Sequence, residues 1–371
     1  MAPLPPRPAP PPTLEPHRLK EAVERTLTTF LATKAESTTA GGRLPNLASP
    51  LQEFLAAGGK RVRPVFAMIG WHAAGGVGSV DTAHHLAASL ELFHAFALIH
   101  DDLMDRSDTR RGRPTVHRAL ARTYGRRPPA SPAEDPGAAA DRFGEAAAIL
   151  IGDLAFVWSD ELLHAGRPTP GQLARVLPLL DEMRTEVTLG QYLDLAHTGC
   201  AGPDVETAFT VLRYKTAKYT VERPLHLGAA LAGAEPALLD ALSAYAIPLG
   251  EAFQLRDDLL GVFGDPDLTG KPTLDDLREG KATVLIALAL QRATDAQADR
   301  LRSFLGCRTL TEDQADASRR IIESTGAHRA VDGMITQRYK EALAALESPL
   351  IDPVVTDTLR LLADQSARRH T

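Results

Sequence analysis

Leu, Val, Ile, Phe and Ala return every third or fourth residue through most of this 371-residue chain, the repeat of a helix that hides one side. Strand-like alternation is scarce. The periodic stretches run over 16–36, 47–74, 79–106, 142–165, 169–197, 203–232, 235–262, 281–305, 310–347 and 352–368, with no internal sequence repeat. They predict an all-α fold, a large helical bundle. Residues 1–13 are Pro-rich, predict an extended disordered tail and lack the apolar core of a signal peptide. No linker divides 14–371, which is expected to be one domain, with a flexible loop over RRPPASPAEDPGAAAD at 126–141 near the site entrance.

Two of these helices end in paired acids. In ELFHAFALIHDDLMD, Leu92, Phe93, Ala95, Phe96, Leu98 and Ile99 leave no polar face, so the helix is expected to be buried all round. It nevertheless closes on Asp101, Asp102 and Asp105. IPLGEAFQLRDDLLG closes on Asp257 and Asp258 in the same way. Gly112 and Pro114 mark the stop after the first pair, and Gly261, Gly264 and Pro266 the stop after the second. Acids near a helix C-terminus meet the negative end of the macrodipole and need cations. Asp101 and Asp105, four residues and about 6 Å apart on one face, suit Mg²⁺, which takes carboxylates together with a substrate's phosphate oxygens. One such pair alone is as readily a solvated helix end. Two pairs, with ordered basic residues beside them, point to one divided metal site.

The basic residues come in short motifs. GGKRVRP places Lys60, Arg61 and Arg63 within four residues, and DTRRGRPTVH brings Arg110, Arg111 and Arg113 just past the first acids. Lys215, Lys271 and Lys281 follow in RYKTAKYT, TGKPTLDDL and REGKAT. Arginine forks grip phosphate oxygens in pairs and lysines act as mobile point charges, so a substrate pair carrying two diphosphates would use several of each. GGVGSV at 75–80 lacks the Lys-Ser/Thr of a P-loop and follows a helix, so it reads as an ordinary loop.

A net charge of −6 and a pI near 6.1 disfavour a nucleic-acid partner. Cys200 and Cys307 have no CxxC partners, which fits a reducing cytosol and not a zinc site. No run of 18 apolar residues is available to span a membrane.

In order, GGKRVRP, ELFHAFALIHDDLMDRSDTRRGRPTVH, ILIGDLAF, GQYLDL, YKTAKYT, FQLRDDLLGVFGDP and GKPTLDDLREGKAT make the chain resemble the trans-isoprenyl diphosphate synthases over roughly residues 50–290. The resemblance implies the isoprenoid synthase fold, a bundle around a central cavity, and a cytoplasmic homodimer. It implies head-to-tail condensation of isopentenyl diphosphate with an allylic diphosphate, using Mg²⁺, three ions with substrate bound. Asp101 and Asp105 would hold metal from one side and Asp257 from the other, supported by Asp102 and Asp258. Arg110, Lys215, Lys271 and Lys281 would take the allylic diphosphate. Lys60, Arg63, His94 and Arg111 would take isopentenyl diphosphate. Thr216 and Gln254 match positions whose oxygens face the developing cation. His100 and His117 receive no role.

Phe96, five positions before Asp101, matches the aromatic residue that limits growth to twenty carbons, and Ala97 beside it is small. A helical wheel puts Ala97 and Phe93 nearer the acid face, so either Phe96 or Phe93 is the expected floor. The resemblance favours geranylgeranyl diphosphate as product, with farnesyl or longer chains as the alternative. A class I terpene cyclase would need no second diphosphate site, and a non-catalytic partner subunit could have lost the acids and Lys215. One departure stands out: Gly261 occupies the fifth position of the second acid motif, where Asp is common. With Asp265 following one turn later, Gly261→Asp is expected to be tolerated.

Overall fold

The computed structural model describes residues 14–38, 45–125, 135–200, 202, 204–264 and 275–367, and these build a helical bundle. In chain order the helices are α1 (Pro16–Thr38), α2 (Ala48–Ala56), α3 (Val62–Ala73), α4 (Val80–Met104), α5 (Val116–Tyr124), α6 (Pro136–Ala165), α7 (Pro170–His197) and α8 (Val205–Leu212). A π-helical segment, Arg213–Glu222, leads into α9 (Arg223–Ala232) and α10 (Pro236–Phe263). There follow α11 (Asp275–Glu279), α12 (Val284–Arg292), α13 (Asp295–Phe304), α14 (Glu312–Ser324), α15 (Ala327–Ala345) and α16 (Pro353–Ala367). The only strands among the described residues are a two-residue antiparallel pair between α4 and α5, with Arg110 opposite Arg113.

Where the structure divides an expected helix, the local chemistry explains the break. The stretch 47–74 becomes α2 and α3 because Gly58 and Arg61 are left-handed, with φ of 90° and 50°. The stretch 310–347 breaks at Gly326, φ 72°, and 281–305 breaks where Thr294 caps α13 in a capping box with Gln297. Helix α5 begins where the DTRRGRPTVH motif ends and carries a short apolar face of Val116, Leu120 and Ala121. The expected loop at 126–141 is shorter at its far end. Asp135 accepts from the Gly137 N–H at 3.0 Å and Pro136 sits at the first helical position, so 136–141 open α6. Residues 126–134 and the tail 1–13 lie outside the described residues.

Three apolar cores hold the bundle. One joins α1, α2, α4, α6 and α7, one joins α8, the C-terminal half of α10 and α12–α15, and one joins α3, α9, α10 and α16. Helix α4 is buried at Leu92, Phe93, Ala95 and Ile99, each 2% exposed or less, but not all round as expected, since Phe96 and Leu98 are half-buried. Helices α3 and α9 meet backbone to backbone. A Cβ on Gly70 would lie 2.0 Å from the Leu225 carbonyl oxygen, and one on Gly228 would lie 1.8 Å from that of Ala67. Only glycine at both positions permits this crossing. No helix among the described residues is long and apolar enough to cross a membrane.

Candidate active site

Both acid clusters sit at the C-terminal ends of long helices, α4 and α10, and the charge of Lys281 acts on both, on Asp101 and Asp105 of the first and on Asp258 of the second. Lys281 lies 3.7 Å from Asp105 on the α4 side and 3.8 Å from Asp276 on the α10 side. Lys215 lies 3.3 Å from Asp101 and 2.5 Å from Asp194 of α7. Arg110 bonds Asp102 at 2.7 Å and reaches Asp101 at 3.4 Å, and Gln191 donates to Asp101 at 3.0 Å. Burial opposes charge on all these groups, and the outcome depends on their neighbours. Burial alone would raise the Asp101 carboxyl, but Lys215, Lys281 and Arg110 outweigh it and hold it below the usual range. At Asp105 burial and the charge of Asp101 push the pKa up to about 7, and at Asp102 burial lifts it to about 6 against Arg110. Burial raises Asp258 to about 8, although Gln254 donates to it at 2.7 Å. Burial would lower both lysines, but the surrounding acids leave Lys215 raised and Lys281 raised well above the ordinary value.

This donor set is hard and anionic, and Asp102 Oδ2 is buried without a hydrogen-bond partner. Among the described residues no three acids, histidines or cysteines close on one point. The arrangement therefore fits a divalent cation shared between one or two carboxylates and substrate oxygens, and does not fit an all-protein cage.

A second cationic group stands beside the first. His94 faces Tyr219, its Nδ1 3.4 Å from the hydroxyl. Burial lowers the His94 pKa well below the usual value, and the charges of Arg63, Arg110, Arg111 and Arg61 lower it further, so the ring is neutral. Arg63 lies with its guanidinium carbon 4.2 Å from the Tyr219 ring and donates to Thr220 at 2.7 Å. Arg111, left-handed at φ 53°, carries its guanidinium to Gly59, where an added Cβ would be 3.3 Å away. Lys60 is exposed at the same loop. Arg61, grouped with these on sequence, turns the other way. It is buried, bonds Glu91 at 2.6 Å, Glu24 at 3.3 Å and the Leu55 carbonyl at 2.7 Å, and so fixes its own left-handed backbone instead of facing an anion. Lys271 and Asp265 lie outside the described residues.

The π-helical segment presents Lys215 and the half-buried Thr216. A widened helix needs room, and two glycines supply it. A Cβ on Gly190 of α7 would lie 2.5 Å from Lys215 N, and one on Gly250 of α10 would lie 2.5 Å from Ala217 Cα.

Below Asp101, Phe96 and Phe93 stand in one aromatic layer. The Phe93 and Phe96 rings lie 5.3 Å apart, and Phe156 of α6 lies 5.7 Å and 5.3 Å from them. Ala97 is half-buried beside them, and His100 stacks edge-on to Phe96 at 4.8 Å.

Several site residues carried no sequence signal of their own. GQYLDL stood among the motifs, but only folding shows Gln191 and Asp194 reaching Asp101 and Lys215. Asp276 is the sharpest case. A Cβ on Gly261 would lie 1.8 Å from Asp276 Oδ2, so the carboxylate of Asp276 occupies the space that the absent side chain leaves. Gly261→Asp therefore requires the Asp276 carboxylate, the far end of its side chain, to move aside.

The chain is similar to known proteins over most of its length. Residues 44–322 match the family model described as Polyprenyl synthetase. The crystal structure of a geranylgeranyl pyrophosphate synthase from Corynebacterium glutamicum, complexed with isoprenyl diphosphate and magnesium, matches with a TM-score of 0.89 at 42% identity, covering 96% of this chain and 100% of that one. A geranylfarnesyl diphosphate synthase from Aeropyrum pernix is 30% identical over 320 residues, 85% of this chain and 92% of its own. A (2E,6E)-farnesyl diphosphate synthase from Mycobacterium tuberculosis is 34% identical over 276 residues, 73% of this chain and 68% of its own.

Proposed function

Since this chain belongs to the polyprenyl synthetase family, whose members are head-to-tail trans-prenyltransferases, we propose that it condenses isopentenyl diphosphate with allylic diphosphates as far as geranylgeranyl diphosphate. The observation that carries this reading is the set of cations on the acids, Lys215 and Arg110 at Asp101 and Lys281 between Asp105 and Asp276, with a separate group at Arg63, Arg111 and neutral His94. A terpene cyclase would have no use for that second group.

Asp101, Asp105 and Asp257 would hold magnesium, three ions with substrate bound, and Asp102, Asp258 and Asp276 would support them. Bound there, the metal supplies Lewis-acid stabilisation of charge on the departing diphosphate. Arg110, Lys215 and Lys281 neutralise the same charge, exchanging their carboxylate partners for phosphate oxygens, and Lys271 would join them. Lys60, Arg63, Arg111 and neutral His94 hold the second diphosphate, so that the double bond attacks a carbon already in line. The oxygens of Thr216 and Gln254 face the allylic cation, and the apolar walls of α4 and α6 keep water from it. No side-chain nucleophile is required, because the released diphosphate can take the proton.

Incubation with isopentenyl diphosphate, each short allylic diphosphate and Mg²⁺, followed by product-length analysis, tests the proposal directly. Geranylgeranyl diphosphate should dominate, and Ala97→Phe should shorten the product to fifteen carbons or fewer by thickening the aromatic layer. An unchanged product from that variant would argue against α4 as the ruler. Lys60→Ala and Arg63→Ala should raise KM for isopentenyl diphosphate more than for the allylic partner, and Lys215→Ala should do the reverse. Equal effects on both substrates would sink the division into two sites. Gly261→Asp should weaken Mg²⁺ binding by about 10-fold, measured calorimetrically, because it displaces Asp276. Unaltered affinity would show Asp276 to be dispensable.

We also propose a cytoplasmic homodimer. The outer faces of α6 and α7 leave Leu150, Val157 and Tyr192 at 63%, 57% and 69% exposure, with Ile149 and Leu189 beside them, an apolar surface suited to a second copy of the chain.

A further inference from the structure

Beneath the aromatic layer lies a charged side chain that the reaction does not use. The Arg184 guanidinium of α7 lies 4.9 Å from the Phe156 ring and 5.5 Å from the Phe93 ring. Asp160, to which it hydrogen-bonds, and Ser159 Oγ at 3.3 Å hold it there, and both lie beyond Phe156 on α6. Its Nε is buried without a hydrogen-bond partner.

The contacts order these groups by depth. Gln191 of α7 touches Asp101 of α4, and Arg184, seven residues earlier on α7, touches Phe93, eight residues earlier on α4. The two helices therefore descend side by side from the acids, about 10–12 Å at roughly 1.5 Å per residue. Helix α6 runs the opposite way, with Asp153 and Ile149 beside His100 near the acids and Ser159 and Asp160 below Phe156. A chain growing down from Asp101 meets Phe96, Phe93 and Phe156 first and Arg184 next.

We propose that Arg184 is a specificity-determining second stop, a polar floor that limits product length even after the aromatic floor is opened. This rests on the reading that the chain grows toward Phe93 and Phe96. The two stops differ in kind. An aromatic ring blocks by bulk and yields when it is truncated or swings aside. A guanidinium blocks by chemistry, because a hydrocarbon tail laid against it strips water from a charge and leaves an N–H that already lacks an acceptor. The ion pair with Asp160, and the aromatic rings above it, keep that charge in place.

The test compares product lengths, by chromatography of dephosphorylated products, for Phe96→Ala, Phe96→Ala/Arg184→Leu and Phe96→Ala/Arg184→Lys. Phe96→Ala should extend the product by about one isoprene unit, a short step down the helix at about 1.5 Å per residue. The Leu double variant should extend it by a further unit or more, and the Lys double variant should match Phe96→Ala, since charge is retained. Asp160 is half-exposed and can be hydrated without Arg184. Should the Leu variant fail to fold, Arg184→Gln removes the charge while keeping donors for Ser159 and Asp160. Lengthening by Phe96→Ala with no further change in the neutral double variants would overturn the role of Arg184 alone. Equal lengthening by Lys and Leu would overturn it in favour of simple bulk. Wild-type products from every variant would overturn the ruler reading as well.

Discussion

Asp101→Ala is expected to lower turnover by about 10³-fold or more while the helical fold persists, and Asp105→Ala and Asp257→Ala should act alike. Asp101 is where the site's charges meet. It touches Lys215, Arg110 and Gln191 at once, and these together with the charge of Lys281 keep it ionised against burial. Without it, Lys215 keeps only Asp194 among its acid partners, and the face that would hold metal loses the carboxylate that those cations keep ionised. The fold should survive, because the variant also relieves Asp105, whose pKa is raised partly by the charge of Asp101. Steady-state turnover with saturating Mg²⁺, together with far-ultraviolet circular dichroism, checks both halves. Near-normal turnover in any of the three variants would remove the metal assignment.

The second large effect is expected from a methyl group that touches no substrate. Gly250→Ala places a Cβ 2.5 Å from Ala217 Cα, a distance that real atoms do not adopt, and the π-helical segment must move to accommodate it. Lys215 and Thr216 would move too, and a displacement of about 1 Å at a catalytic group can cost about 10²-fold in rate. Overpacking of this kind also destabilises by about 1–3 kcal/mol. Gly190→Ala, pressing on Lys215 N from α7, should behave the same way. The discriminating measurement is kcat in folded protein, since a stability defect alone would lower yield and melting temperature but leave kcat per folded molecule intact.

Helix-forming periodicity and the acid pairs were legible because both are local: period shows in a window of a dozen residues, and paired acids at the ends of apolar helices contradict their surroundings. The cationic motifs were legible as sets but not as individuals. Nothing in GGKRVRP separates Arg61 from Lys60 and Arg63, because the difference lies in Glu91 and Glu24, which come from α4 and α1. Gly261 read as a loss for the same reason. The carboxylate that fills its place comes from Asp276, fifteen residues on, and only packing reveals it. Phe156 and Arg184 read as ordinary helix residues until α4, α6 and α7 are set side by side. The helix break at Arg61 was hidden because an arginine with positive φ depends on its partners, whereas Gly58 and Gly326 were visible candidates and the Thr294–Gln297 capping box is a local pattern.

The interlocked glycines of α3 and α9 bear on how such an enzyme could diversify. Arg63 stands at the start of α3, while Lys215 and Thr220 stand on the segment continuous with α9, so the crossing at Gly70 and Gly228 fixes the separation of the two groups of cations. Substitution there disturbs both at once, which closes that route to lineages seeking new products. The layer at Phe93, Phe96 and Phe156 is tied to neither crossing glycine. Descendants of this chain are free to lengthen or shorten their product there, one side chain at a time, with the spacing of the two diphosphates inherited unchanged.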